Sequence, residues 1–119
     1  MIARVWHGWT APDNADIYEA LLENEIFVGI REKRIRGFRD IELLRRDVGG
    51  EVEFATIMWF DSLDAVREFA GDDYEHAVVP ESARAVLSRF DERSRHYDVR
   101  IRHAQSEQGI GPCIEEDTR

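Results

Sequence analysis

FRDIELLRRDVGGEVEFATIMWF, residues 38–60, decides the fold. Gly49-Gly50 tolerates positive φ and splits the stretch into two arms of a hairpin. On the first arm, Phe38 to Asp47, Ile41, Leu43 and the stem of Arg45 share one face, and Glu42, Leu44 and Arg46 share the other. On the second arm, Glu51 to Phe60, Val52, Phe54, Thr56, Met58 and Phe60 form one face. Ala55, Ile57 and Trp59 form most of the opposite face. Side chains alternate across a strand, so an arm that is apolar on both faces reads as a central strand.

Upstream, Ile2 to Trp9 alternates in the same way, with Ala3, Val5, His7 and Trp9 on one face and Ile2, Arg4, Trp6 and Gly8 on the other. A turn at Thr10 to Asn14 leads into a helix over about Ala15 to Glu25, marked by Ala15, Tyr18 and Leu22 at helical spacing. Gly29 is expected to end or bend this helix. The charged connector after it (Arg31, Lys33, Arg34 and Arg36) reads either as a solvated loop or as a basic rim guiding an anionic ligand.

Downstream, Asp61 or Ser62 caps a second helix carrying Leu63, Val66, Phe69 and Ala70, with Gly71 as its terminator. Asp72-Asp73 is expected to start a short helical turn bearing Tyr74 and His76. Pro80 opens a third helix that Ala83, Val86, Leu87 and Phe90 hold in register. The closing strand spans Arg95 to Arg102, with Tyr97 and His96 on opposite faces. The order β-α-β-β-α-β predicts an α+β fold with a four-stranded antiparallel sheet and helices on one face. One domain spans 1–103, and 104–119 reads as a C-terminal tail, disordered or bound to a partner.

The chain of 119 residues carries a net charge of −9. An acidic surface argues against a nucleic-acid partner and against docking on anionic membranes. No apolar run approaches the roughly 20 residues of a membrane span, and the strand-like N-terminus gives no sign of a signal peptide. Cys113 stands alone, which excludes an internal disulfide and fits a cytoplasmic location. No histidine pair at i, i+4 and no cysteine pair points to a metal site. The bare sheet face would expose an apolar patch larger than soluble monomers tolerate, so a twofold homodimer is expected.

Four blocks together resemble the antibiotic biosynthesis monooxygenase (ABM) superfamily: Ile2-Ala3-Arg4-Val5-Trp6-His7-Gly8, Glu53-Phe54 to Trp59-Phe60-Asp61-Ser62, Phe69-Ala70-Gly71-Asp72-Asp73 and His96-Tyr97-Asp98-Val99. The resemblance covers Met1 to Arg102. It implies a ferredoxin-like βαββαβ monomer, a dimeric α/β barrel with back-to-back sheets, and a cofactor-independent monooxygenase-like activity on a small aromatic or polyketide-like molecule, with molecular oxygen as cosubstrate. The alternative is a non-catalytic dimer that binds a small ligand or serves a structural role. Haem is not expected, because the strand-1 asparagine of haem-degrading relatives is missing and His7 stands in that region.

The candidate catalytic residues are His76 and His7, since an imidazole can take a phenolic or enolic proton near neutral pH. Each also reads as ordinary, His76 as a surface residue and His7 as a satisfied core histidine. Trp59 and Trp6 are candidate walls of a cavity for an aromatic substrate, or core filler. Tyr97 and Arg4 are candidates to orient a substrate oxygen. Tyr97 could equally pack at the sheet edge, and Arg4 could pair with acidic residues across the dimer.

Overall fold

The computed structural model describes residues 1–104. The tail expected from residue 104 therefore lies, Ala104 apart, outside the described residues. The sheet is antiparallel and open, with β1 (Ile2–Thr10) flanked by β3 (Val52–Phe60) on one side and by β4 (Arg89–Phe90) and β5 (Arg95–Asp98) on the other. The strand β2 (Phe38–Asp47) pairs with β3 to form the far edge. The hairpin turns at Gly49, whose φ of 83° explains the glycine. As the alternation predicts, β1 and β3 are both central. In register, Ile2 faces Phe60, Arg4 faces Met58 and Trp6 faces Thr56.

All helices pack on the face of Ile2, Phe54, Met58 and Phe60. Ala15, Tyr18 and Leu22 bury against Phe54 and Val52, with the Tyr18 ring edge-on to Phe54 at 4.8 Å. Ala65 and Val66 bury against Ile2, Met58 and Phe60. Removing a large apolar side chain from water contributes about 1.5–3 kcal/mol each, so this layer dominates stability.

Four local expectations need correction, one of them the closing strand, which ends at Asp98 and not at Arg102. The first helix does not stop near Glu25. It runs as α1 (Ala15–Leu21), a π-helical turn at Leu22–Ile26, and α2 (Phe27–Glu32). Gly29 sits inside it. A glycine in a helix costs about 1 kcal/mol, but Leu22, Ile26, Phe27 and Ile30 extend the buried stripe and outweigh that cost. The chain turns instead at Arg34, with φ 52°, and Gly37, with φ 88°.

The second helix, α3 (Leu63–Ala70), behaves as expected: the Ser62 hydroxyl accepts from the Ala65 amide and Gly71 ends it at φ 90°. The helical turn expected after it shrinks to one hydrogen-bonded turn, in which the His76 amide donates to the Asp73 carbonyl. His76 lies on extended backbone bridged to Arg93, with the Ala77 amide donating to the Glu92 carbonyl. The third helix is a single turn, α4 (Glu81–Arg84), and Phe90 belongs to β4. There the Ser88 amide donates to the Trp9 carbonyl, so pairing with β1 replaces further helix.

The fourth strand is interrupted. Gly8 pairs with Phe90 and Val5 with Arg95, so three steps along β1 match five along its partner. The two extra residues form a bulge in 91–94. Among the described residues no helix is long and apolar enough to cross a membrane.

Candidate functional site

A cavity lies between the helix-covered face of the sheet and the first helix. Its floor is Arg4 and Trp6 of β1, Ile41 of β2, and Thr56 and Met58 of β3. Its roof is Tyr18, Leu22, Ile26, Phe27 and Ile30. Phe69 and the strap Val78–Pro80 close one side. Its volume is about 70 Å³. It opens into a groove of about 330 Å³ that shares Ile26, Ile30, Phe69, Val78 and Pro80 and adds Glu25, Gly29 and Lys33. At Gly29 a Cβ would meet nothing within 4 Å, so the space beside the groove is open there. Together the two spaces reach the lower range of small-molecule sites.

Trp6 is fixed from two directions. Its indole Nε1 donates to the Asp91 carbonyl at 2.7 Å, using the bulge in the fourth strand. Its ring lies over Gly8, where a Cβ would come within 2.9 Å of Cη2. Trp6 is thereby a rigid wall.

Arg4 is the unusual residue. It is buried, at 3% exposure, on an apolar floor. Its guanidinium donates Nη1 to the Tyr74 carbonyl and Nη2 to the His76 carbonyl at 3.2 Å. It also approaches His96 Nε2 at 3.0 Å and stands 5.5 Å from the centre of the Phe69 ring. Desolvation pulls its pKa down to about 10, which still leaves it charged at neutral pH. Arg4 and His96 face each other across the β1–β5 pair. Burial, and after it the charge of Arg4, hold His96 below the ordinary histidine pKa, against an opposing pull from Glu75. A neutral His96 accepts the Arg4 N–H at Nε2 and keeps its proton on Nδ1, which is buried without a partner. Burial also raises the pKa of the Tyr18 phenol.

The structure gathers two of the expected site residues, Arg4 and Trp6, and separates the rest. Trp59 pairs with Ala3, so its ring lies on the helix-free face and is not a cavity wall. His7 is on that face too, with Nδ1 3.4 Å from the Asp91 carboxylate and Nε2 3.8 Å from the Glu53 carboxylate. Tyr97, opposite Ala3, is half exposed there. His76 is exposed, and its backbone carbonyl, not its ring, reaches the site through Arg4. The reason is parity: only even-numbered residues of β1 and β3 face the helices. Among the described residues no group of three His, Cys, Asp or Glu is placed to hold a metal.

Sequence reasoning missed His96, Phe69 and the Phe27–Ile30 roof. The shared parity of Arg4 and Trp6 was visible. Nothing in the sequence gave the bulged register that sets His96 against Arg4.

Solved structures align with most of this chain. An antibiotic biosynthesis monooxygenase-type protein from Bacillus cereus superposes with a TM-score of 0.61 at 19% identity, over 87% of this chain and 97% of its own. The monooxygenase ActVA-Orf6 of Streptomyces coelicolor, in complex with nanaomycin D, gives 0.55 at 16% identity over 88% and 92%. This chain has the ABM fold. A haem degrader from Mycobacterium tuberculosis, solved with two haems in its active site, shares that fold, with a TM-score of 0.54 at 16% identity over 87% and 100%. No family model matches the chain, and no curated protein does. Among the described residues no histidine lines this cavity.

Proposed function

We propose that the protein is an oxidoreductase of the monooxygenase-like kind, acting without metal or flavin on a small aromatic or polyketide-like molecule in the cavity beneath the helices. The observation that carries this reading is an apolar, tryptophan-walled cavity with a buried cation, Arg4, in its floor. Molecular oxygen is the cosubstrate. An activated ring methylene would become a carbonyl, with one oxygen atom entering the product and the other leaving as water with the two displaced hydrogens. The first step needs an electron-rich phenolate or enolate. A fixed positive charge nearby favours that ionised form. Arg4 takes this role, and Trp6 and Phe69 hold the ring. His7 and His76 stand outside the cavity and have no part in it.

The protein acts as a cytoplasmic homodimer of a domain over 1–103. Its helix-free face carries Val5, Ala55, Ile57 and Trp59, with Leu44 47% and Tyr97 53% exposed. Such a patch fits an interface between two copies.

Oxygen uptake with a panel of dihydroxy-aromatic compounds tests the catalytic reading. Uptake by the wild type that falls at least about tenfold in Arg4→Met is expected, the size of losing one charge-stabilising contact. A second reading, a non-catalytic ligand-binding dimer, is favoured by the fact that no carboxylate or imidazole among the described residues lines the cavity. Absence of uptake with every compound, alongside measurable binding, would establish it. Haemin added to the protein should give no Soret shift.

A further inference from the structure

We propose that the cavity selects an organic anion: a flat apolar body whose carboxylate or phenolate oxygen meets Arg4, drawn in past Lys33. This rests on the reading that a small aromatic ligand occupies the cavity, and adds the charge that the ligand must bear.

Among the described residues Arg4 is a desolvated cation without a counter-ion. Among the described residues its polar partners are two backbone carbonyls and a neutral imidazole, and no carboxylate lies within 4.0 Å. The arginines that do have carboxylate partners, such as Arg39, Arg45 and Arg89, are all more exposed. Burying a guanidinium unpaired is costly, and a carboxylate is the partner its fork fits. A ligand oxygen entering from the cavity would supply that partner in a site too dry to compete for it.

Lys33 continues the path. It lines the outer groove, and its Nζ stands 5.4 Å from the centre of the same Phe69 ring that Arg4 approaches at 5.5 Å. No carboxylate pairs with it among the described residues, and Glu25, the acid in the groove, is exposed. Two cations converging on one aromatic ring are a local exception in a chain of net charge −9. That overall charge repels anions at a distance but is screened beyond about 8 Å in physiological salt, so selection happens at short range. His96 adds to the arrangement: burial first, and then the charge of Arg4, disfavour its protonated form, so the positive charge of the pair stays on the guanidinium.

Isothermal titration of the full-length protein with 2-naphthoate and with its uncharged isostere 2-naphthamide tests this. The acid should bind the wild type at least about tenfold more tightly than the amide, the scale of one charge-assisted pair. Arg4→Met should erase that preference while leaving the amide affinity within about threefold, and Lys33→Gln should weaken the acid about two- to threefold, more at low salt. Should Arg4→Met fail to fold, because Arg4 also ties down the segment bearing Tyr74 and His76, Arg4→Lys keeps the charge and should keep the preference. Equal binding of acid and amide, or a preference unmoved by Arg4→Met, overturns the anion inference and leaves the cavity reading intact. Binding of neither compound overturns both.

Discussion

The two faces of one sheet show what a residue's parity decides. On the face under the helices, Phe54, Phe60 and Val66 from α3 are fully buried, and Arg4 is buried on the same face beside the cavity. On the other face Val5, Ile57 and Trp59 are only half covered, and His7 sits between two carboxylates in contact with water. The strands are apolar on both faces, yet one face is the core and the other is a half-exposed surface. Electrostatics follow the same division: the cation on the dry side sits in a low dielectric, while the histidine on the wet side is screened.

The sharpest way to break this comparison is a pair of truncations one residue apart. Phe60→Ala should cost about 3–5 kcal/mol in urea unfolding, because it leaves a cavity in the packed layer. Trp59→Ala should cost clearly less once the protein is diluted below the dimer dissociation constant. Equal losses would mean that the helix-free face is packed within the monomer.

Next in size is the assembly itself. Ile57→Lys places a charge in the middle of the bare face and should convert dimer to monomer at micromolar concentration, read by sedimentation velocity, with the circular dichroism spectrum kept. A dimer that survives the substitution puts the interface elsewhere.

A smaller effect belongs to His96. Its folded pKa lies below the ordinary 6.5, so between those two values the unfolded chain binds more protons. The histidine's contribution is intact above about pH 6.5 and is lost as pH falls toward the folded pKa. His96→Gln should flatten that acid-side slope in the urea midpoint measured from pH 7 to pH 5. An unchanged slope would assign it to other groups.

The least change is expected from His76→Ala, within about 0.5 kcal/mol of wild type in stability. Naphthoate binding should also be unaffected, since only the backbone of His76 touches Arg4. A loss of binding there would bring the ring back into the site.

Much of this architecture was legible from residues 38–60 and 2–9. Alternation placed β1 and β3 in the centre, and Gly49 marked the hairpin. Gly71 and Ser62 bracketed α3. What failed was wherever tertiary burial overrode a local signal. Gly29 reads as a stop, but Phe27 and Ile30 had apolar surface to cover. Leu87 and Phe90 fall at helical spacing, yet the edge of β1 supplies hydrogen bonds that a helix would forgo. The candidate site was half legible. Arg4 and Trp6 share a parity that points them under the helices, whereas Trp59 was assigned by its chemistry and not by its place in the alternation. His96 was invisible as a site residue because a two-residue bulge sets its neighbour.

That bulge has another consequence. A sheet with free edges invites strand-by-strand growth into ribbons. Here one border is broken into segments of two and four residues around Asp91–Ser94, and the other bears Arg39, Asp40, Glu42, Arg45 and Arg46. Neither border makes a good template for a further strand.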